Sequence, residues 1–457
     1  MKMIHRLGRG VWKGVALVFP LAVLSGCVHP TADFRDTVRG AKDAVFPSLV
    51  YVRVITEGSS DGKLEKVQAS GSGVIVTEDG EFLTNHHVID RASRIRCQLT
   101  DGAIYDAKVI GKDKDLDVAL LKLSAPTGSV FPAARLSTRQ PDIGAVVLAM
   151  GAPWGLARSV SMGIISCNDR YLTGAGDYTL WYQTDAAISP GNSGGPLVDT
   201  HGEVVGLNAR GNRSGAQGFT IPSPIILELL PNLRKYGDAH WAWFGIDWQP
   251  IKDFERDTAF DATNGVIIAG TDPQGPARAA GLEPNDRVIA IDGQPVTAVF
   301  REDIPALNRA LALREWDRPV RFDFVRDGET KHVEIAPKSK GEVEGKEVEF
   351  KRWGFTAKDI NRFDTPDLAF FAPDGGVFVS SVSWDGNADN AGFAIRDIIR
   401  KWNGKDVKSV AELQKIYDEA MKKLDLVSQV GVDVMRKGRP MHLVLNYRVD
   451  PDKEDVE

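Results

Sequence analysis

Gly191-Asn-Ser-Gly-Gly-Pro-Leu197 is the stretch from which the rest of this 457-residue chain can be interpreted. A serine hydroxyl is a poor nucleophile at neutral pH, and it needs a neighbouring base and a turn that exposes it. Glycines on both sides of Ser193 permit such a turn with positive φ. The turn would aim the backbone N–H groups of Gly191, Asn192 and Ser193 at one point, where they could stabilise an oxyanion. The stretch therefore predicts a nucleophilic serine, with a plain glycine-rich β-turn as the alternative.

The pattern Gly-x-Ser-x-Gly also describes the nucleophile elbow of α/β-hydrolases, so the stretch alone leaves two folds open. In those enzymes the acid and the histidine follow the serine, among alternating strands and helices. Here the best candidates for base and acid precede Ser193, among short strands. The later histidines lack a comparable setting: His201, His240, His332 and His442. Chain order therefore disfavours the α/β-hydrolase fold.

Thr84-Asn-His-His-Val88 supplies the candidate base. Histidine suits this role because its unperturbed pKa of about 6.5 lets it accept and return a proton near neutrality. Two adjacent side chains cannot both face one site from the end of an extended strand, so one of His86 and His87 is the base and the other a neighbour. A metal site on the pair is the alternative. We expect no metal, because no carboxylate or cysteine stands out at ligand spacing.

Asp113-Lys-Asp-Leu-Asp-Val-Ala-Leu-Leu121 contains three candidate acids. Asp117 is distinct because an apolar run follows it immediately, which predicts a carboxylate at a buried strand edge. Such a carboxylate can orient an imidazole and stabilise its protonated form. Asp113 and Asp115 lie in a polar turn, and we expect both to be solvated.

Between Pro47 and Ile221 the chain is a series of short β-rich runs punctuated by glycine. Short strands with turn signals between them predict an all-β barrel or sandwich. Helical periodicity is scarce until Pro224–Leu230, which predicts a closing helix. Residues 41–236 are therefore expected to form one mostly β domain that carries the chemistry.

These motifs together resemble the HtrA/DegP family of trypsin-like serine proteases, in which PDZ domains follow the protease. The matching stretches occur in the family's order: Ser70-Gly-Ser-Gly-Val-Ile-Val76, Leu83-Thr-Asn-His-His-Val88, Leu116-Asp-Val-Ala-Leu120, Gly151-Ala-Pro-Trp-Gly155 and Gln183–Leu197. The resemblance selects His87 as base and Asp117 as acid beside Ser193. It implies a chymotrypsin-like double β-barrel, ATP-independent proteolysis without a cofactor, and trimers or larger cages. The chain departs from the family at His86, where Asn or Ala is usual, and in the short segment Glu57–Ala69.

Proteases of this kind form the specificity pocket from residues just before the serine and from a later strand. Ala187, Ile188 and Asn208, the first residue of a run to Phe219, occupy these places. Because Ala187 and Ile188 carry no charge, we expect an apolar pocket for a small or medium aliphatic side chain. Arg210 and Arg213 lie close by in the same run.

After residue 240 the composition changes, and the chain contains two copies of one pattern. Each copy has a stretch with tryptophan and glycine, an apolar run after a glycine, an alanine-containing stretch, and a run that begins with aspartate and ends in Asp-Gly or Asn-Gly. The copies span residues 240–337 and 350–449, with a charged linker at 338–345 and an acidic tail at 450–457.

The two copies resemble PDZ domains, which capture an extended peptide as an added strand. Backbone N–H groups of a glycine-containing loop hold the terminal carboxylate of that peptide. Phe244, Gly245 and Ile246 fit this loop in the first copy, and Arg352–Phe355 fits it less well in the second. The alternative for either copy is a purely structural role in packing the oligomer.

The first 26 residues differ from the rest of the chain. Four basic residues precede an apolar run that ends at Leu24, and small residues follow, as is typical of a secretory signal peptide. Leu24-Ser-Gly-Cys27 also resembles a bacterial lipobox, in which Cys27 would carry a lipid and hold the protein at a membrane surface. The alternative is an ordinary signal peptide with an incidental cysteine. We interpret residues 27–40 as a tether.

The full chain has a formal net charge of −6, and removal of the basic N-terminal segment makes it more acidic. Nucleic-acid binding depends on clustered Lys and Arg, so the composition argues against a nucleic-acid partner. Cys97 and Cys167 could form a disulfide in an oxidising compartment. The alternation of Cys97 with Ile95 and Leu99 instead fits a buried strand position and favours a free thiol.

The sequence thus predicts an endopeptidase of the cell envelope that degrades misfolded or mislocalised proteins. Its expected partners are unfolded substrates, peptide C-termini and, through Cys27, the outer membrane more than the inner. The competing class is a chaperone or peptide-binding scaffold with a dormant protease domain. A broken triad would favour the scaffold, and the sequence shows no such break.

Overall fold

The computed structural model describes residues 33–152, 159–211, 217–253, 258–341, 343–424 and 426–448. In these ranges the chain is mostly β, with two closed six-stranded barrels followed by two sheets of similar topology. The predicted signal peptide, Cys27, Arg213 and the acidic tail lie outside the described residues. No helix in the described ranges is long and apolar enough to cross a membrane.

The first barrel follows a helix and closes in the order β1-β2-β3-β6-β5-β4. In β1 the buried side chains of Val50, Val52 and Val54 alternate with Tyr51 and Arg53, the two-residue period that a half-buried strand requires. The elements are α1 (Phe34–Val45), a short 3₁₀ turn (Phe46–Ser48), β1 (Leu49–Ser60), β2 (Lys63–Ile75), β3 (Glu81–Thr84), α2 (His86–Ile89), β4 (Ala92–Gln98), β5 (Ile104–Asp113) and β6 (Val118–Leu123).

The second barrel closes in the order β10-β11-β12-β9-β8-β7, and a helix follows it. One hydrophobic core joins Leu120 of the first barrel, Leu148 and Leu207 of the second, and Leu233 of the helix. This shared core holds the two barrels together. The elements are β7 (Val146–Gly151), β8 (Ser159–Arg170), β9 (Trp181–Thr184), β10 (Pro196–Asp199), β11 (Val204–Gly211), β12 (Gly218–Pro222) and α3 (Ser223–Tyr236). The predicted closing helix is confirmed as part of α3.

The first copy after the barrels has the sheet order β14-β17-β18-β20-β21, in which β14 is an edge strand. A separate two-stranded sheet pairs β13 with β22. The elements are β13 (Ala242–Trp243), β14 (Ile246–Gln249), β15 (Lys252–Asp253), β16 (Thr258–Ala259), β17 (Val266–Thr271), α4 (Pro276–Ala279), β18 (Arg287–Ile291), β19 (Gln294–Pro295), a 3₁₀ turn (Arg301–Asp303), α5 (Ile304–Ala312), β20 (Val320–Arg326), β21 (Glu329–Ile335) and β22 (Lys338–Ser339).

The second copy repeats this plan, with one added strand in the order β23-β24-β25-β26-β28-β29. The relationship extends to a buried ion pair, because Arg326 pairs with Asp286 at 2.6 Å and Arg436 pairs with Asp397 at 2.6 Å. The predicted internal repeat is therefore confirmed. The elements are β23 (Glu347–Phe350), β24 (Phe355–Asp359), α6 (Pro366–Phe371), β25 (Val377–Val382), α7 (Asn387–Asn390), β26 (Ile398–Trp402), β27 (Lys405–Asp406), α8 (Val410–Lys422), β28 (Gln429–Arg436) and β29 (Arg439–Asn446).

Three boundaries differ from the expectation from sequence. Residues 34–40 of the expected tether are helical, because the Asp33 carboxylate accepts the Arg35 amide at 3.0 Å and Ala41 and Val45 of the same helix are buried. The start of the expected linker is β22, whose pairing with β13 returns the chain to the first copy. The second copy begins with β23, three residues before its expected start.

Candidate active site

His87, on α2, and Asp117, in the turn before β6, form a bidentate pair. The Asp117 carboxylate accepts the His87 backbone N–H at 2.9 Å on Oδ1 and the ring Nδ1–H at 2.7 Å on Oδ2. The carboxylate side chain is 9% exposed and the imidazole 47% exposed. A buried acid thus fixes the ring through Nδ1, while the half-exposed imidazole keeps Nε2 available to exchange a proton.

The turn before β6 positions Asp117 through its backbone. Asp117 has φ +56, and its carbonyl oxygen accepts the Asn85 side-chain amide at 3.0 Å and the His86 backbone N–H at 3.2 Å. The turn and the start of α2 are therefore joined at both the carbonyl and the carboxylate. This explains why Asp117, and not Asp115, reaches the histidine.

His86 occupies a different environment from His87. It is 6% exposed, and its imidazole has no hydrogen-bond partner among the described residues. Burial, followed by the nearby Lys112 ammonium, lowers the pKa of His86 below its ordinary value. The structure therefore brings His87, and not His86, to the carboxylate of Asp117.

Ser193 lies on a tight turn between glycines. Gly191 has φ +100 and Gly194 has φ +82, and a Cβ on Gly194 would come within 2.2 Å of the Ser72 carbonyl oxygen and 2.3 Å of Thr84 Oγ1. Only glycine fits this contact, which places the turn directly against the segment that leads to His87. The Ser193 hydroxyl donates to the Ala209 carbonyl at 3.2 Å. Within the described ranges it makes no hydrogen bond to His87.

Two of the three predicted oxyanion donors have the expected environment. The N–H groups of Gly191 and Ser193 have no acceptor among the residues that the structure describes. The N–H of Asn192 instead donates to the Ser189 carbonyl at 2.9 Å, closing the turn. The predicted donor set is therefore corrected to Gly191 and Ser193, with Asn192 as a structural member of the turn.

Ser72 is a positioning residue that the sequence reasoning did not single out. It is fully buried, and its hydroxyl donates to the Gly191 carbonyl at 2.6 Å and accepts the Ala152 N–H at 2.9 Å. Its own N–H donates to the Ser193 carbonyl at 2.8 Å. Two hydrogen bonds from the end of β2 thus hold the nucleophile turn, and a third ties Ser72 to the segment after β7. The signal for it was available in the Ser70-Gly-Ser-Gly stretch.

The expected specificity pocket contains one exposed and two buried residues. Ala187 is exposed, whereas Ile188 is 6% exposed and packs over Gly218. Asn208 is fully buried, and its amide donates to the Pro196 carbonyl at 3.0 Å while its oxygen accepts Thr220 Oγ1 at 3.2 Å. Asn208 is therefore held by internal hydrogen bonds, and the apolar pocket at Ala187 and Ile188 stays a prediction.

Asp113 is buried, contrary to the expectation that it is solvated. Its carboxylate accepts the Leu116 N–H at 2.7 Å and the Trp241 indole N–H at 2.7 Å. Burial, reinforced by the neighbouring Asp115, raises the pKa of Asp113 from 3.8 to about 7. Asp115 is partly exposed and pairs with Lys340 at 2.7 Å. The turn that presents Asp117 is therefore built on a buried carboxyl group.

One cluster near the site could hold a cation by residue type. Ligand atoms of His86, Asp90 and Glu344 all lie within 4.8 Å of one another. Asp90 is four residues from His86, a spacing that the sequence reasoning overlooked, and only the fold brings Glu344 close. Lys114 already pairs with Glu344 at 2.5 Å, and the positive charge of Lys112 helps to lower the pKa of His86. These lysines supply the positive charge that the carboxylates need.

The loop of the first copy borders a groove of about 620 Å³. Ile246 and Trp248 of β14 line one side, and Ile304 and Leu311 of α5 line the other. Gly245 has φ +71, and the buried Phe244 anchors the loop in the core. The predicted peptide-binding residues therefore line a groove beside an edge strand, in which apolar side chains lie beside charged ones such as Asp247 and Arg362.

Cys97 and Cys167 are both free thiols. Cys97 is fully buried in β4 between the buried Ile95 and Leu99, as its alternation predicts. Cys167 lies on β8 in the other barrel and is only partly buried. A disulfide between them is absent from the described structure.

Comparison with known proteins gives matches across both parts of the chain. A family described as trypsin-like peptidase domain matches residues 71–207, and one described as PDZ domain matches residues 244–336. A probable periplasmic serine endoprotease DegP-like of Ectopseudomonas mendocina is 34% identical over 83% of this chain and 80% of its own length. The periplasmic serine endoprotease DegP of Salmonella typhimurium is 31% identical over 82% of this chain and 77% of its own length.

Solved structures show the same likeness. The HtrA-type protease AlgW with a decapeptide has a TM-score of 0.56 and 28% identity, covering 66% of this chain and 98% of that one. A serine endoprotease from Yersinia pestis has a TM-score of 0.52 and 28% identity, covering 66% of this chain and 97% of that one.

Proposed function

Because the chain belongs to the HtrA/DegP family of trypsin-like serine proteases with PDZ domains, we propose that this serine endopeptidase cleaves misfolded or mislocalised proteins in the periplasm. One observation carries the proposal for the site. The His87–Asp117 pair lies beside the turn of Ser193, and the N–H groups of Gly191 and Ser193 are unpaired within the described ranges.

In the proposed reaction the Ser193 oxygen attacks the scissile carbonyl carbon and its proton passes to Nε2 of His87. The negative charge that forms on the substrate oxygen is held by the N–H groups of Gly191 and Ser193, and Asp117 stabilises the imidazolium. His87 then gives the proton to the leaving amine, which departs and leaves an acyl-enzyme. Water, deprotonated by His87, releases the acyl group and restores the serine.

The bond from Ser193 to the Ala209 carbonyl marks a resting site. The hydroxyl has to leave that carbonyl before it can donate to His87. Because this bond is compatible with an inactive protein, it favours the second candidate, a chaperone or scaffold with a dormant protease domain. In the first candidate, substrate or peptide binding turns the hydroxyl toward the base.

Active-site labelling separates the two candidates. A fluorophosphonate probe is expected to label the wild type, more strongly with an added peptide that ends in apolar residues, and to leave Ser193→Ala unlabelled. Casein cleavage is expected to be lost in Ser193→Ala while the circular dichroism spectrum is kept. Absence of label under every condition would favour the dormant scaffold. Undiminished cleavage by Ser193→Ala would remove Ser193 from the proposal.

Substrate capture is proposed for the first PDZ copy, whose Phe244, Gly245 and Ile246 would hold a peptide C-terminus. The open groove and the edge strand β14 support this, as does the likeness to the HtrA-type protease AlgW, which was solved with a decapeptide. The names of the relatives support the periplasm, and the lipobox supports a membrane anchor through Cys27. Assembly into a trimer or larger cage is proposed from the family resemblance.

A further inference from the structure

The loops that precede β14 and β24 are equivalent parts of the two PDZ copies. Gly245 and Gly354 have φ +71 and +81. The Gly245 carbonyl accepts the N–H of Asp272, which follows β17, and the Gly354 carbonyl accepts the N–H of Ser383, which follows β25, both at 2.9 Å. Each following strand also has its register shift after its second residue. The two loops can therefore be compared residue by residue, with Phe244 matching Trp353.

In the first copy this loop and the neighbouring strand are open. The N–H groups of Phe244 and Gly245 have no acceptor in the described parts of the chain, and β14 is paired only with β17. The cavity at β14 and α5 has a volume of about 620 Å³, and Tyr178 of the protease domain and Phe363 of the second copy also line it. An incoming peptide would therefore find unpaired backbone groups and empty space.

In the second copy the equivalent groups are occupied by the chain itself. β23 pairs antiparallel with β24, with Val348 opposite Ala357 and Phe350 opposite Phe355, on the edge that β14 leaves open. The Phe350 carbonyl then accepts the N–H of Trp353 at 3.0 Å and the N–H of Gly354 at 2.9 Å. This carbonyl lies where the terminal carboxylate of a captured peptide would bind.

The helix wall of the second groove closes on the same strand. The ring of Tyr417 on α8 packs edge-on against Phe350 at 5.4 Å, and its hydroxyl accepts the Arg352 N–H at 3.1 Å. Phe350 and Trp353 are both fully buried. Because β23 is tethered to its own groove, a free peptide would compete with an effective concentration in the millimolar range.

The acidic residues of β23 bind the protease domain. Glu347 pairs with Arg91 at 2.9 Å, and the carboxylate of Glu349 accepts the Leu64 N–H at 3.1 Å. Both contacts lie on the first barrel, and Leu64 belongs to β2, the strand whose other end holds the Ser193 turn through Ser72.

The rim of the second copy binds the tip of the β1–β2 hairpin. Gly62 N–H donates to Ser381 Oγ at 2.7 Å, and the Asp61 carboxylate accepts the Trp384 N–H at 2.6 Å. Asp61 and Gly62 have φ +47 and +69, the two left-handed residues of a tight hairpin turn. This short tip fits the rim closely, because a Cβ on Gly62 would lie 2.4 Å from the Ser383 nitrogen.

We propose that the second PDZ copy is not a peptide receptor but an internally liganded docking module. Strand 347–350 fills its peptide groove, and its rim at 380–384 binds the hairpin of the first barrel. The inference rests on the proposed function only in taking the first copy as the peptide receptor. It makes each chain a binder of one peptide and fixes the second copy to the strand that supports the nucleophile.

Peptide stoichiometry tests the first half of the proposal. Calorimetry on the full-length Ser193→Ala protein, with a decapeptide ending in three apolar residues, is expected to give one site per chain. Ile246→Asp is expected to abolish binding, and the same peptide with an amidated C-terminus is the control. Two sites per chain, or a site that survives Ile246→Asp, would overturn the proposal while leaving peptide capture intact. If the Ser193→Ala protein with an unaltered groove binds no peptide, that result would count against peptide capture. Hydrogen exchange of the peptide-free protein would then decide the inference alone.

Hydrogen exchange of the peptide-free protein tests both halves without a ligand. The N–H groups of Trp353 and Gly354 are expected to be protected, whereas those of Phe244 and Gly245 exchange freely. Gly62→Ala is expected to speed exchange at 380–386 on the order of tenfold by undocking the hairpin, while residues 353–354 stay protected.

Gly102→Ala is the matched control for this exchange experiment. Gly102 also has a left-handed φ, +91, but a Cβ there meets nothing within 4 Å. It should therefore carry the same backbone penalty and leave the exchange at 380–386 unchanged. Equal effects of Gly62→Ala and Gly102→Ala would overturn the docking role. Free exchange at 353–354 in the wild type would overturn the filled groove.

Discussion

Replacement of Asp117 by asparagine is the sharpest test of the active-site assignment. The carboxylate accepts two hydrogen bonds from His87, one from the backbone N–H at 2.9 Å and one from Nδ1–H at 2.7 Å. Asparagine offers only one oxygen in the same shape. Because the backbone N–H is a fixed donor, the oxygen is expected to face it, and the amide NH₂ then faces Nδ1.

This arrangement forces the wrong tautomer on His87. Nδ1 has to become an acceptor, so the ring proton moves to Nε2, and Nε2 can no longer accept the proton of Ser193. The same substitution in another Ser-His-Asp protease lowers kcat by about 10⁴-fold, which corresponds to about 5.4 kcal/mol of transition-state stabilisation. We expect a loss of that order here. The effect on stability should be small, since the oxygen still accepts the backbone N–H and the amide donates to Nδ1.

The measurement is kcat/KM on a fluorogenic unfolded casein, with Tm measured in parallel. Asp115→Asn is the matched control, because Asp115 lies two residues away and pairs with Lys340 without contacting His87. Its activity per folded protein is expected to stay within about threefold of the wild type, even if Tm falls because Lys340 loses its partner. The assignment of the acid would be wrong if Asp117→Asn kept a tenth of the activity or if both variants lost activity equally.

Three further outcomes follow from the structure. Ser72→Ala removes the hydrogen bond to the Gly191 carbonyl and should lower the free energy of unfolding by about 1–3 kcal/mol and kcat by about tenfold. Denaturant unfolding and casein kinetics measure the two effects. Ser129→Ala is the control, because the Ser129 hydroxyl also donates to a backbone carbonyl but lies far from the site in sequence. Burial raises the pKa of Asp113 to about 7, so its contribution to stability is present at low pH and is lost as pH rises through about 7. Tm should therefore fall by about 3 °C or more between pH 5.5 and 8. Asp113→Asn, which is neutral at every pH, should flatten this fall. An unchanged slope would exclude Asp113 as its source. Cys27→Ser should move the protein from the membrane fraction to the soluble periplasmic fraction, and an unaltered distribution would argue against a lipid on Cys27.

Several sequence-based expectations are confirmed by the structure because they depend on short-range physics. The short β-rich runs between Pro47 and Ile221 form the strands of two barrels, and the run Pro224–Leu230 falls within α3. The repeat after residue 240 is confirmed by its sheet order and by the two equivalent Asp–Arg pairs. Periodicity and turn chemistry are encoded in neighbouring residues, so a single sequence is enough to find them.

Other expectations failed where distant segments meet. Asp113 looks like a solvated turn residue, yet Trp241 covers it from 128 residues away. Asn192 is a local exception, since its N–H, expected to bind the oxyanion, closes the turn onto Ser189 three residues away. The residues that surround a polar group set its burial and its hydrogen bonds, and those residues are not visible in its local sequence.

By itself, the sequence determined that Ser193 lies on a glycine turn, that a histidine and an aspartate precede it, and that two related modules follow. The local conformation needed for each of these features is written in a few adjacent residues. The choice of His87 over His86 rested on the family resemblance until the tertiary structure showed the contact of His87 with Asp117. The tertiary structure alone decided that the second module is filled by its own strand. Both outcomes depend on which backbone and side-chain groups are left unpaired once the chain has packed, and packing is a property of the whole fold.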